Sequence, residues 1–337
     1  MKAKQQLDII VDLQYGDCGK GKVAHVLAHK NKYTHVLRYN GGGNAGHTIY
    51  HKGKKFVTHQ VPVGVFWGVP SIIGSGCVVN PEKLVHEIRE LEAGGVKVKG
   101  KLFIAKNAHV VLPRHIEEEI RENKIGTTKQ GIGPAYRDKY ARVGTRAESV
   151  PSLAPYCVDL FELFHMAKKK PVILCEGAQG FGLDIDWGDY PYVTSSSCIT
   201  AGALANGFPH TAVRSVWGIC KAYETYVGSK QFEGTDPIFG KIREAGQEFG
   251  ATTGRPRQCN WMNLDMLTKA IHINGVTHIV INKLDILTDV NAWAVLEQGR
   301  TRAFKGEAAF VAYVTKRLVA LGIRKGNIFF SKHKDRI

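Results

Sequence analysis

Residues 8–22 read Asp-Ile-Ile-Val-Asp-Leu-Gln-Tyr-Gly-Asp-Cys-Gly-Lys-Gly-Lys, an apolar run followed directly by a glycine-rich turn. The aliphatic and β-branched residues at 9–13 are typical of a buried strand. The glycines at 16, 19 and 21 allow close approach of the backbone to a ligand, because they carry no Cβ atom. We predict a helix over 23–30. A strand, a glycine turn and a helix in this order direct backbone N–H groups at an anion.

The turn matches most of the phosphate-loop pattern of nucleotide-binding proteins. Gly16, four intervening residues, Gly21 and Lys22 fit its spacing, and the lysine of this pattern contacts phosphate. Val23 occupies the position where the pattern has Ser or Thr, whose hydroxyl binds Mg²⁺. Asp17 lies inside the turn, where a carboxylate is unfavourable beside phosphate unless it binds a metal ion or takes part in the chemistry. A solvated turn aspartate is the alternative.

The composition suits a large α/β protein with anionic ligands. The 337 residues are 44% hydrophobic and 23% charged, which provides ample core. The net charge of +16 favours nucleotides, acidic metabolites or nucleic acid as partners. The basic residues are spread along the chain, without the aromatic and basic ladder of single-strand binders. We therefore interpret the charge as a field around a phosphate site and expect no nucleic-acid partner.

Cysteine usage and hydrophobicity indicate the compartment. The seven cysteines are odd in number and none lies in a Cys-x-x-Cys pair, which favours neither a disulfide framework nor a zinc site. Residues 1–6 lead directly into the first predicted strand, and no apolar run approaches the roughly 18 residues needed to span a bilayer. We therefore expect a cytoplasmic protein without a signal peptide or a membrane partner.

Predicted strands and helices alternate along most of the chain. We predict strands over 34–39, 72–79, 102–105, 110–112, 171–175, 215–227 and 277–285, a hairpin over 47–60, and helices over 81–93, 264–274 and 307–321. Residues 124–146, rich in Gly, Thr and Arg, are predicted to form one long functional loop. The alternation predicts an α/β fold with a doubly wound, mostly parallel central sheet in a single domain over 1–337. In such sheets polar residues at strand ends, here 176–180, form ligand sites.

The predicted strand that ends at Asn282-Lys-Leu-Asp285 carries the pattern that recognises guanine in GTP-binding proteins. Its aspartate accepts hydrogen bonds from both N1–H and the 2-amino group of guanine, which adenine cannot donate. A regulatory GTPase would also need the loop hydroxyl that Val23 replaces and an Asp-x-x-Gly motif. No aspartate of this chain is followed three residues later by glycine. A regulatory GTPase is therefore disfavoured.

His47 is the strongest candidate for an acid group. It follows an Asn-Ala-Gly turn and could face the loop of Asp17, although a lone histidine is more often structural than catalytic. His25 and His29 lie one helical turn apart and could share a metal ion, but the sequence indicates no third ligand.

A second loop, at 249–257, reads Phe-Gly-Ala-Thr-Thr-Gly-Arg-Pro-Arg. Guanidinium groups form paired hydrogen bonds with carboxylates, so Arg255 and Arg257 suit the capture of a carboxylate ligand. A surface turn with solvated arginines is the alternative.

Several of these segments together resemble adenylosuccinate synthetase, in the order in which that family carries them. The segments are Gly16-Asp-Cys-Gly-Lys-Gly-Lys22, Asn44-Ala-Gly-His-Thr48, Ile125-Gly-Thr-Thr128, Gly131-Ile-Gly-Pro-Ala-Tyr136, Glu176-Gly-Ala-Gln-Gly180, Tyr190-Pro-Tyr-Val-Thr-Ser-Ser196, Thr252-Thr-Gly-Arg255 and Lys283-Leu-Asp285. The short chain resembles the compact archaeal and viral forms of the family. Residues 12–16 also resemble bacteriophage relatives that use dGMP to make a diaminopurine precursor. Those relatives typically carry serine in place of the loop aspartate, whereas Asp17 is retained here.

The resemblance implies a ligase that joins L-aspartate to C6 of a 6-oxopurine nucleotide, through a 6-phosphoryl intermediate and at the expense of a nucleoside triphosphate. The resemblance leaves two substrate combinations open: IMP as acceptor with GTP as donor, or dGMP as acceptor with ATP or dATP as donor. Asp17 and the intact 282–285 pattern favour IMP, whereas the opening at 12–16 and the segment at 331–336, which lacks the family's Thr-Gly-Pro, favour dGMP. An alternative from a different functional class is a protein that binds nucleotides but catalyses no reaction.

Departures from the family pattern are Cys18, Lys129, Pro256 and Gln258. The resemblance nevertheless implies a role for each matching residue. Asp17 would be the general base and His47 the acid, and Asp17 with the backbone near Gly46 would hold Mg²⁺. Arg142 would reach the site of a partner subunit, which implies a homodimer with shared active sites. The implied ligand contacts are Gly16, Gly19, Lys20, Gly21, Lys22, Lys283, Asp285 and Ser331 for the triphosphate nucleotide, Asn44, Thr128, Arg142, Gln179 and Thr194 for the purine monophosphate, and Thr252, Thr253, Arg255 and Arg257 for aspartate.

Overall fold

The computed structural model describes residues 5–30, 32–122, 126–250 and 254–337. Its strands are β1 (Gln6–Asp12), β2 (His35–Arg38), β3 (His47–His51), β4 (Lys54–Thr58), β5 (Ser71–Ile73), β6 (Val78–Val79), β7 (Leu102–Ala105), β8 (His109–Val110), β9 (Cys157–Val158), β10 (Val172–Glu176), β11 (Val213–Lys221), β12 (Tyr223–Tyr226), β13 (Gln258–Asn263), β14 (His278–Asn282), β15 (Ala294–Glu297), β16 (Arg300–Ala303) and β17 (Ile328–Phe330). Its α-helices are α1 (Lys20–Lys30), α2 (Pro81–Ala93), α3 (Pro113–Glu122), α4 (Ile132–Ala141), α5 (Leu160–His165), α6 (Thr200–Leu204), α7 (Ile238–Gly246), α8 (Leu264–Asn274), α9 (Leu284–Asp289) and α10 (Glu307–Ala320).

A nine-stranded sheet forms the centre of the fold, in the order β17-β14-β11-β1-β10-β2-β5-β7-β9. Every neighbouring pair in it is parallel. Strand β1 is an inner strand of this sheet, where Ile9 is in register with Cys175 of β10 and Val216 of β11. The aliphatic residues of β1 are fully buried, as expected for a parallel sheet whose two faces are covered. The predicted α/β fold with a mostly parallel central sheet is confirmed.

The remaining strands form smaller sheets. Strands β12, β13, β15 and β16 make a four-stranded sheet in that order, and β6 pairs with β8. Strands β3 and β4 form an antiparallel hairpin in which His47 is paired with Thr58. Its turn residues Lys52 and Gly53 both have positive φ, the conformation that tight hairpin turns require. The hairpin predicted over 47–60 is confirmed.

Two helices have the bounds that their capping residues predict. Helix α2 follows Asn80, whose side chain accepts a hydrogen bond from the Lys83 N–H at 3.1 Å, and Pro81 occupies its first position. Helix α8 ends at Gly275, which adopts a left-handed conformation with φ 62°. The helices predicted over 81–93 and 264–274 are thereby confirmed. Across the described ranges, every helix is too short or too polar to cross a membrane.

The prediction of one long loop over 124–146 is wrong, because helix α4 lies within it. Gly131 precedes the helix with φ 72°. Pro134 occupies the first turn, where its missing N–H interrupts no helical hydrogen bond. Tyr136 lies on the buried side of the helix. The glycines and the proline that suggest a loop in the sequence are therefore compatible with a helix start.

Two predicted strands are each divided into two. Within 72–79, a turn at residues 74–77 separates β5 from β6, and a Cβ atom at Gly76 would lie only 2.1 Å from the carbonyl oxygen of Tyr39. Within 215–227, Ala222 separates β11 from β12, and the chain passes there from the central sheet to the four-stranded sheet. Gly74-Ser75-Gly76 is a turn signal in the first of these segments, whereas a single alanine between two strand-forming stretches gives no local signal of the second change of direction.

Candidate active site

A cavity of about 910 Å³ opens where β1, β10 and β14 end at their carboxyl termini. The carboxyl ends of parallel strands are the usual place for ligands in open α/β sheets. This volume is near the upper end of single-ligand pockets, so it is sufficient for more than one small molecule. The sequence-predicted residues that line it are Gly16, Asp17, Gly19, Lys20, Gly21, Lys22, Asn44, Gly46, His47, Thr128, Gln179, Thr194, Arg255, Arg257, Lys283 and Asp285.

The glycine turn between β1 and α1 is folded around the carboxylate of Asp12. Its Oδ1 accepts hydrogen bonds from the backbone N–H groups of Gln14, at 3.0 Å, and Gly16, at 3.2 Å. Its Oδ2 accepts from the N–H of Cys18 at 3.2 Å. Because Asp12 engages these amides, the turn is held in shape before any phosphate arrives. No local motif assigns Asp12 a role, although an acidic residue at the end of a buried strand is itself a signal.

The two lysines of the phosphate loop are both engaged within the protein. Lys20 Nζ lies 3.0 Å from Oδ2 of Asp12. Lys22 Nζ donates to Oδ1 of Asn282 at 2.5 Å and to Oγ of Ser331 at 2.9 Å. Burial lowers the pKa of Lys22 to about 8. Lys22 thus joins helix α1 to the end of β14 and to Ser331, and its contact with phosphate stays a prediction.

Asp17 is held at the cavity surface by an arginine from the second loop. Its backbone has φ 56°, a left-handed conformation that turns use and that aspartate tolerates better than most residues. Its side chain is 38% exposed, and Oδ2 lies 3.0 Å from NH2 of Arg257. Asp17 and Arg257, separated by 240 positions in the sequence, are therefore direct neighbours. The structure brings the predicted base and one predicted aspartate ligand together.

His47 lies at the first position of β3, against helix α1. A Cβ atom at Gly21 would be 2.8 Å from the Cβ of His47, so this approach requires glycine in the helix. The imidazole Nδ1 lies 3.0 Å from Oε1 of Glu176, at the end of β10, and 3.1 Å from NH2 of Arg38. Arg38 Nε also donates to Oε1 of Glu176 at 2.9 Å. The buried side chains of Glu176 and Arg38 thus fix the ring of His47, which lines the cavity.

The protonation state of His47 follows from its burial and from its neighbours Arg38 and Glu176. Burial and the neighbouring Arg38 lower the pKa of His47 to about 4, and outweigh the Glu176 carboxylate, which raises it. The imidazole is therefore neutral at pH 7. Burial opposes ionisation of Glu176, but Arg38 and His47 hold its pKa at about 2. Nδ1 lies beside both the Glu176 carboxylate, which only accepts, and the Arg38 guanidinium, which only donates; we assign the single ring proton to Nδ1, facing Glu176, so that Nε2 is left for a ligand.

The predicted monophosphate contacts lie in the cavity wall with one exception. Asn44 Oδ1 accepts from the N–H of Gly42 at 3.2 Å, and Gln179 has φ 62°. Arg142 is outside the cavity; it caps helix α4 with φ 65° and is exposed to solvent. The predicted aspartate contacts Thr252 and Thr253 lie outside the described residues.

Of the remaining predicted contacts, Arg255, Lys283 and Asp285 line the cavity, whereas Ser331 is buried and is not part of the cavity wall. Arg255 donates from NH1 to the carbonyl of Gly126 at 2.9 Å and from NH2 to that of Thr127 at 2.7 Å, and thus connects two loops. Lys283 has φ 67° and donates from Nζ to the carbonyl of Gly246 at 2.9 Å. Asp285 lies on the cavity wall in the first turn of α9.

The histidine pair in helix α1 is arranged for packing. His25 Nε2 lies 3.1 Å from Nδ1 of His51, and the ring of His29 stacks on Trp67 with centroids 3.9 Å apart. Nowhere in the described residues do three or more His, Cys, Asp or Glu side chains form a group able to hold a metal ion. A metal ion shared by His25 and His29 is therefore not supported.

Comparison with known proteins gives a consistent result. The sequence profile of adenylosuccinate synthetase matches residues 9–152 and 147–301. The chain is 39% identical over 340 residues to the adenylosuccinate synthetase of Chlorobium phaeobacteroides, with 85% of this chain and 78% of the relative aligned. It is 40% identical over 337 residues to that of Cytophaga hutchinsonii, covering 83% of this chain and 77% of the relative.

Two solved structures share the fold. One is the fully ligated adenylosuccinate synthetase of Plasmodium falciparum, with a TM-score of 0.82, 27% identity, and coverage of 100% of this chain and 98% of the other. The second is the succinoaminodeoxyadenylate synthetase of cyanophage S-2L, bound to dGMP and to dATP as an energy donor. Its TM-score is 0.70, its identity 24%, and its coverage 93% of this chain and 99% of the other. At that identity the second comparison concerns the fold alone.

Proposed function

Because the chain belongs to the adenylosuccinate synthetase family, we propose that Asp17 and His47 carry the reaction of that family in the cavity described above. The chain is a ligase that forms a carbon–nitrogen bond. The reaction joins L-aspartate to C6 of IMP, consumes GTP, and yields adenylosuccinate, GDP and phosphate. The observation that carries the residue assignment is that both side chains line one cavity, each held by an ionic partner.

The first step transfers a phosphoryl group to O6 of the purine. Asp17 accepts the N1 proton, so that negative charge develops on O6, and O6 then attacks the γ-phosphorus while GDP leaves. The second step is displacement at C6. The amine of L-aspartate forms the new C6–N bond, and phosphate departs with the O6 atom. Phosphorylation is needed because oxygen alone is a poor leaving group.

His47 stabilises the oxygen atoms on which charge develops. It is neutral in the free protein, and the anionic charge of the phosphoryl group raises the affinity of Nε2 for a proton. Glu176, which accepts the Nδ1 proton, stabilises the resulting imidazolium. His47 can then donate from Nε2 towards O6 or a phosphoryl oxygen.

Mg²⁺ fits the donor set around Asp17. Mg²⁺ commonly uses one or two carboxylates together with substrate phosphates, rather than a cage made of protein groups alone. The exposed carboxylate of Asp17 and the backbone of Gly46 both belong to the cavity wall. Bound there, Mg²⁺ would neutralise phosphate charge during the transfer. Asp17 would exchange its ion pair with Arg257 for the metal ion.

The remaining residues are assigned by their match to the family. Gly16, Gly19, Gly21, Lys20 and Lys22 serve the triphosphate, and Lys283, Asp285 and Ser331 its base. Asn44, Thr128, Gln179 and Thr194 bind the purine monophosphate. Thr252, Thr253, Arg255 and Arg257 bind L-aspartate. Arg142, exposed at the C-terminal cap of α4, completes the monophosphate site of a second subunit in a homodimer. We place this small-molecule metabolism in the cytoplasm.

A second candidate uses dGMP with ATP or dATP and yields the 2-amino analogue of adenylosuccinate. The segment at 12–16, which resembles the bacteriophage relatives that use dGMP, favours it. The carboxylate of Asp17 can accept from N1–H and the adjacent 2-amino group together, so it is compatible with guanine. His333 and Lys334 line the cavity near its triphosphate end, where they could alter the base pocket.

A turnover matrix tests the proposal. IMP and dGMP are each combined with GTP, ATP and dATP in the presence of Mg²⁺ and L-aspartate, and the succino-nucleotide and phosphate are measured. We expect kcat/KM to favour IMP with GTP. A tenfold or greater preference for dGMP, about 1.4 kcal/mol in transition-state free energy, would establish the second candidate instead. Nucleotide binding without turnover in any combination would indicate a silent binding protein. The Asp17→Ala variant serves as the inactive control.

A further inference from the structure

A fully buried carboxylate lies behind the arginine that contacts Asp17. Glu248 follows helix α7 and has no exposed surface. Its Oε2 accepts a hydrogen bond from NH1 of Arg257. Its Oε1 accepts from the Tyr223 hydroxyl at 2.5 Å, and both oxygens lie 3.3 Å from Nζ of Lys221. We refer to Lys221, Tyr223, Glu248 and Arg257 as the Glu248 cluster.

The Glu248 cluster has one carboxylate for two cations, the fully buried Lys221 and the largely buried Arg257. Burial opposes ionisation of Glu248, but Lys221, Arg257 and the nearby Lys283 hold its pKa at about 2. Lys283 Nζ is 3.9 Å from Oε1. The carboxylate is therefore permanently charged, and it neutralises only part of the positive charge around it. The excess positive charge lies on the side that faces the cavity, where Asp17 supplies the counter-charge in the free protein.

The cluster also closes a ring of contacts that begins and ends in the phosphate loop. The side-chain amide of Gln14 accepts from the N–H of Lys221 at 2.9 Å and donates to its carbonyl at 3.2 Å. The Lys221 side chain reaches Glu248, Glu248 holds Arg257, and Arg257 contacts Asp17. Each link is short and mostly buried. The position of Arg257 relative to Asp17 is therefore fixed from both sides.

One donor of Arg257 is left over in this arrangement. NH1 is bound to Glu248 and NH2 to Asp17. Within the described residues, the buried Nε of Arg257 has no hydrogen-bond partner. A buried donor without a partner is costly, so a small shift of the guanidinium that brought Nε to a ligand oxygen would be favoured.

We propose that Glu248 is a positioning residue for L-aspartate: it holds Arg257 by NH1, so that the rest of the guanidinium is directed at the cavity and its affinity for a substrate carboxylate depends on this anchor. The inference rests on the proposed function, in which Arg257 binds L-aspartate. Glu248 does not touch the substrate. Glu248 is hydrogen-bonded to Arg257, whereas Lys283 is only 3.9 Å away and is held separately by the carbonyl of Gly246, so the effect should fall mainly on L-aspartate.

The test is the Glu248→Gln variant, which keeps the shape of the side chain and removes its charge. We expect the KM for L-aspartate to rise roughly 10- to 100-fold, the factor that corresponds to one hydrogen bond to a charged group. The KM values of the purine nucleotide and the triphosphate should remain close to those of the wild type. A merely structural role would instead reduce the amount of active enzyme, lowering kcat while all three KM values stay the same.

A double variant separates anchoring from stability. Glu248→Gln leaves Lys221 buried without its partner, which is itself destabilising. Lys221→Met in the same chain removes that charge, so Glu248→Gln/Lys221→Met should recover thermal stability while the KM for L-aspartate stays high. Asp8→Asn is the matched control. Asp8 is also a buried carboxylate, bound to Arg214 and Ser215, but it lies in the half of β1 remote from the cavity.

The outcomes are distinct. A raised KM for L-aspartate in both Glu248 variants, with an unchanged value in Asp8→Asn, supports the proposal. If the wild type is active but a folded Glu248 variant has an unchanged KM for L-aspartate, the positioning role of Glu248 is overturned and the proposed function stands. A wild type that forms no product from L-aspartate with any purine nucleotide refutes the proposed function itself.

Discussion

Nδ1 of His47 lies 3.0 Å from Oε1 of Glu176, and the same oxygen is bound by Arg38. Glu176 therefore shares its charge between a permanent cation and a ring that is neutral in the free protein. The pair can respond when an anionic substrate arrives, because the second proton of the ring is stabilised by a carboxylate that is already ionised.

The Glu176→Gln variant tests this pair. We expect kcat to fall by roughly 10- to 100-fold, because the imidazolium loses its counter-charge, with small changes in the KM values. Arg38 also loses its partner, so stability must be measured in parallel. Glu87→Gln is the control, since Glu87 is a buried carboxylate that accepts from the N–H groups of residues 59–61 away from the cavity. Equal kcat in wild type and folded Glu176→Gln would remove Glu176 from the mechanism.

The assignment of base and acid predicts the effect of deleting either group. Asp17→Ala and His47→Ala should each lower kcat by roughly 10²- to 10⁴-fold, the usual contribution of a general acid or base. Both variants should keep the circular dichroism spectrum of the wild type. A residue whose removal leaves turnover near normal has no part in proton transfer.

Arg142 tests the shared site. Arg142→Leu and Asp17→Ala should each be inactive alone. When the two are mixed and subunits exchange, activity should return to about a quarter of the wild type, because half of the dimers are mixed and each has one intact site. Mixed dimers that form, as shown by mass spectrometry, yet remain inactive would contradict a site completed by the neighbour.

Lys22 should act on the triphosphate site through the contacts that it makes. Lys22→Met removes its hydrogen bonds to Asn282 and Ser331, so we expect the KM for the triphosphate to rise roughly tenfold or more. Lys30→Met, at the exposed end of the same helix, should have no effect. An equal response of both variants would show that only general positive charge matters.

The buried His25 predicts that the free energy of unfolding falls at acid pH. Burial, with His51 and His29 nearby, lowers the pKa of His25 to about 4, from 6.5 for an unperturbed histidine. As the pH falls below 6.5, the unfolded chain binds a proton that the folded chain excludes, so the free energy of unfolding decreases until about pH 4. The loss for this one residue is about 3 kcal/mol at most. Urea unfolding of His25→Gln should depend less steeply on pH over this range, and His86→Gln, on the exposed face of α2, should match the wild type.

The sequence predicts the parts of the site that have a local pattern. The glycine turn after β1, the hairpin that carries His47 and the capped helix α2 all follow from residues within a few positions of one another. The partners of the site residues do not, because they are distant in the chain. Glu176 lies 129 positions from His47, and nothing local indicates that these two side chains meet. The helix within 124–146 was missed for another reason, since Gly and Pro have opposite meanings at a helix start and in a loop.

The contacts that complete the active site span most of the chain. Gln14 and Lys221 are 207 positions apart, and Lys22 and Asn282 are 260 apart. Closing loops of this length costs conformational entropy before the stabilising contacts can form. This cost slows folding. During refolding from denaturant we therefore expect helical circular dichroism to recover first and catalytic turnover last. Enzyme activity then reports the final stage of folding rather than the formation of secondary structure.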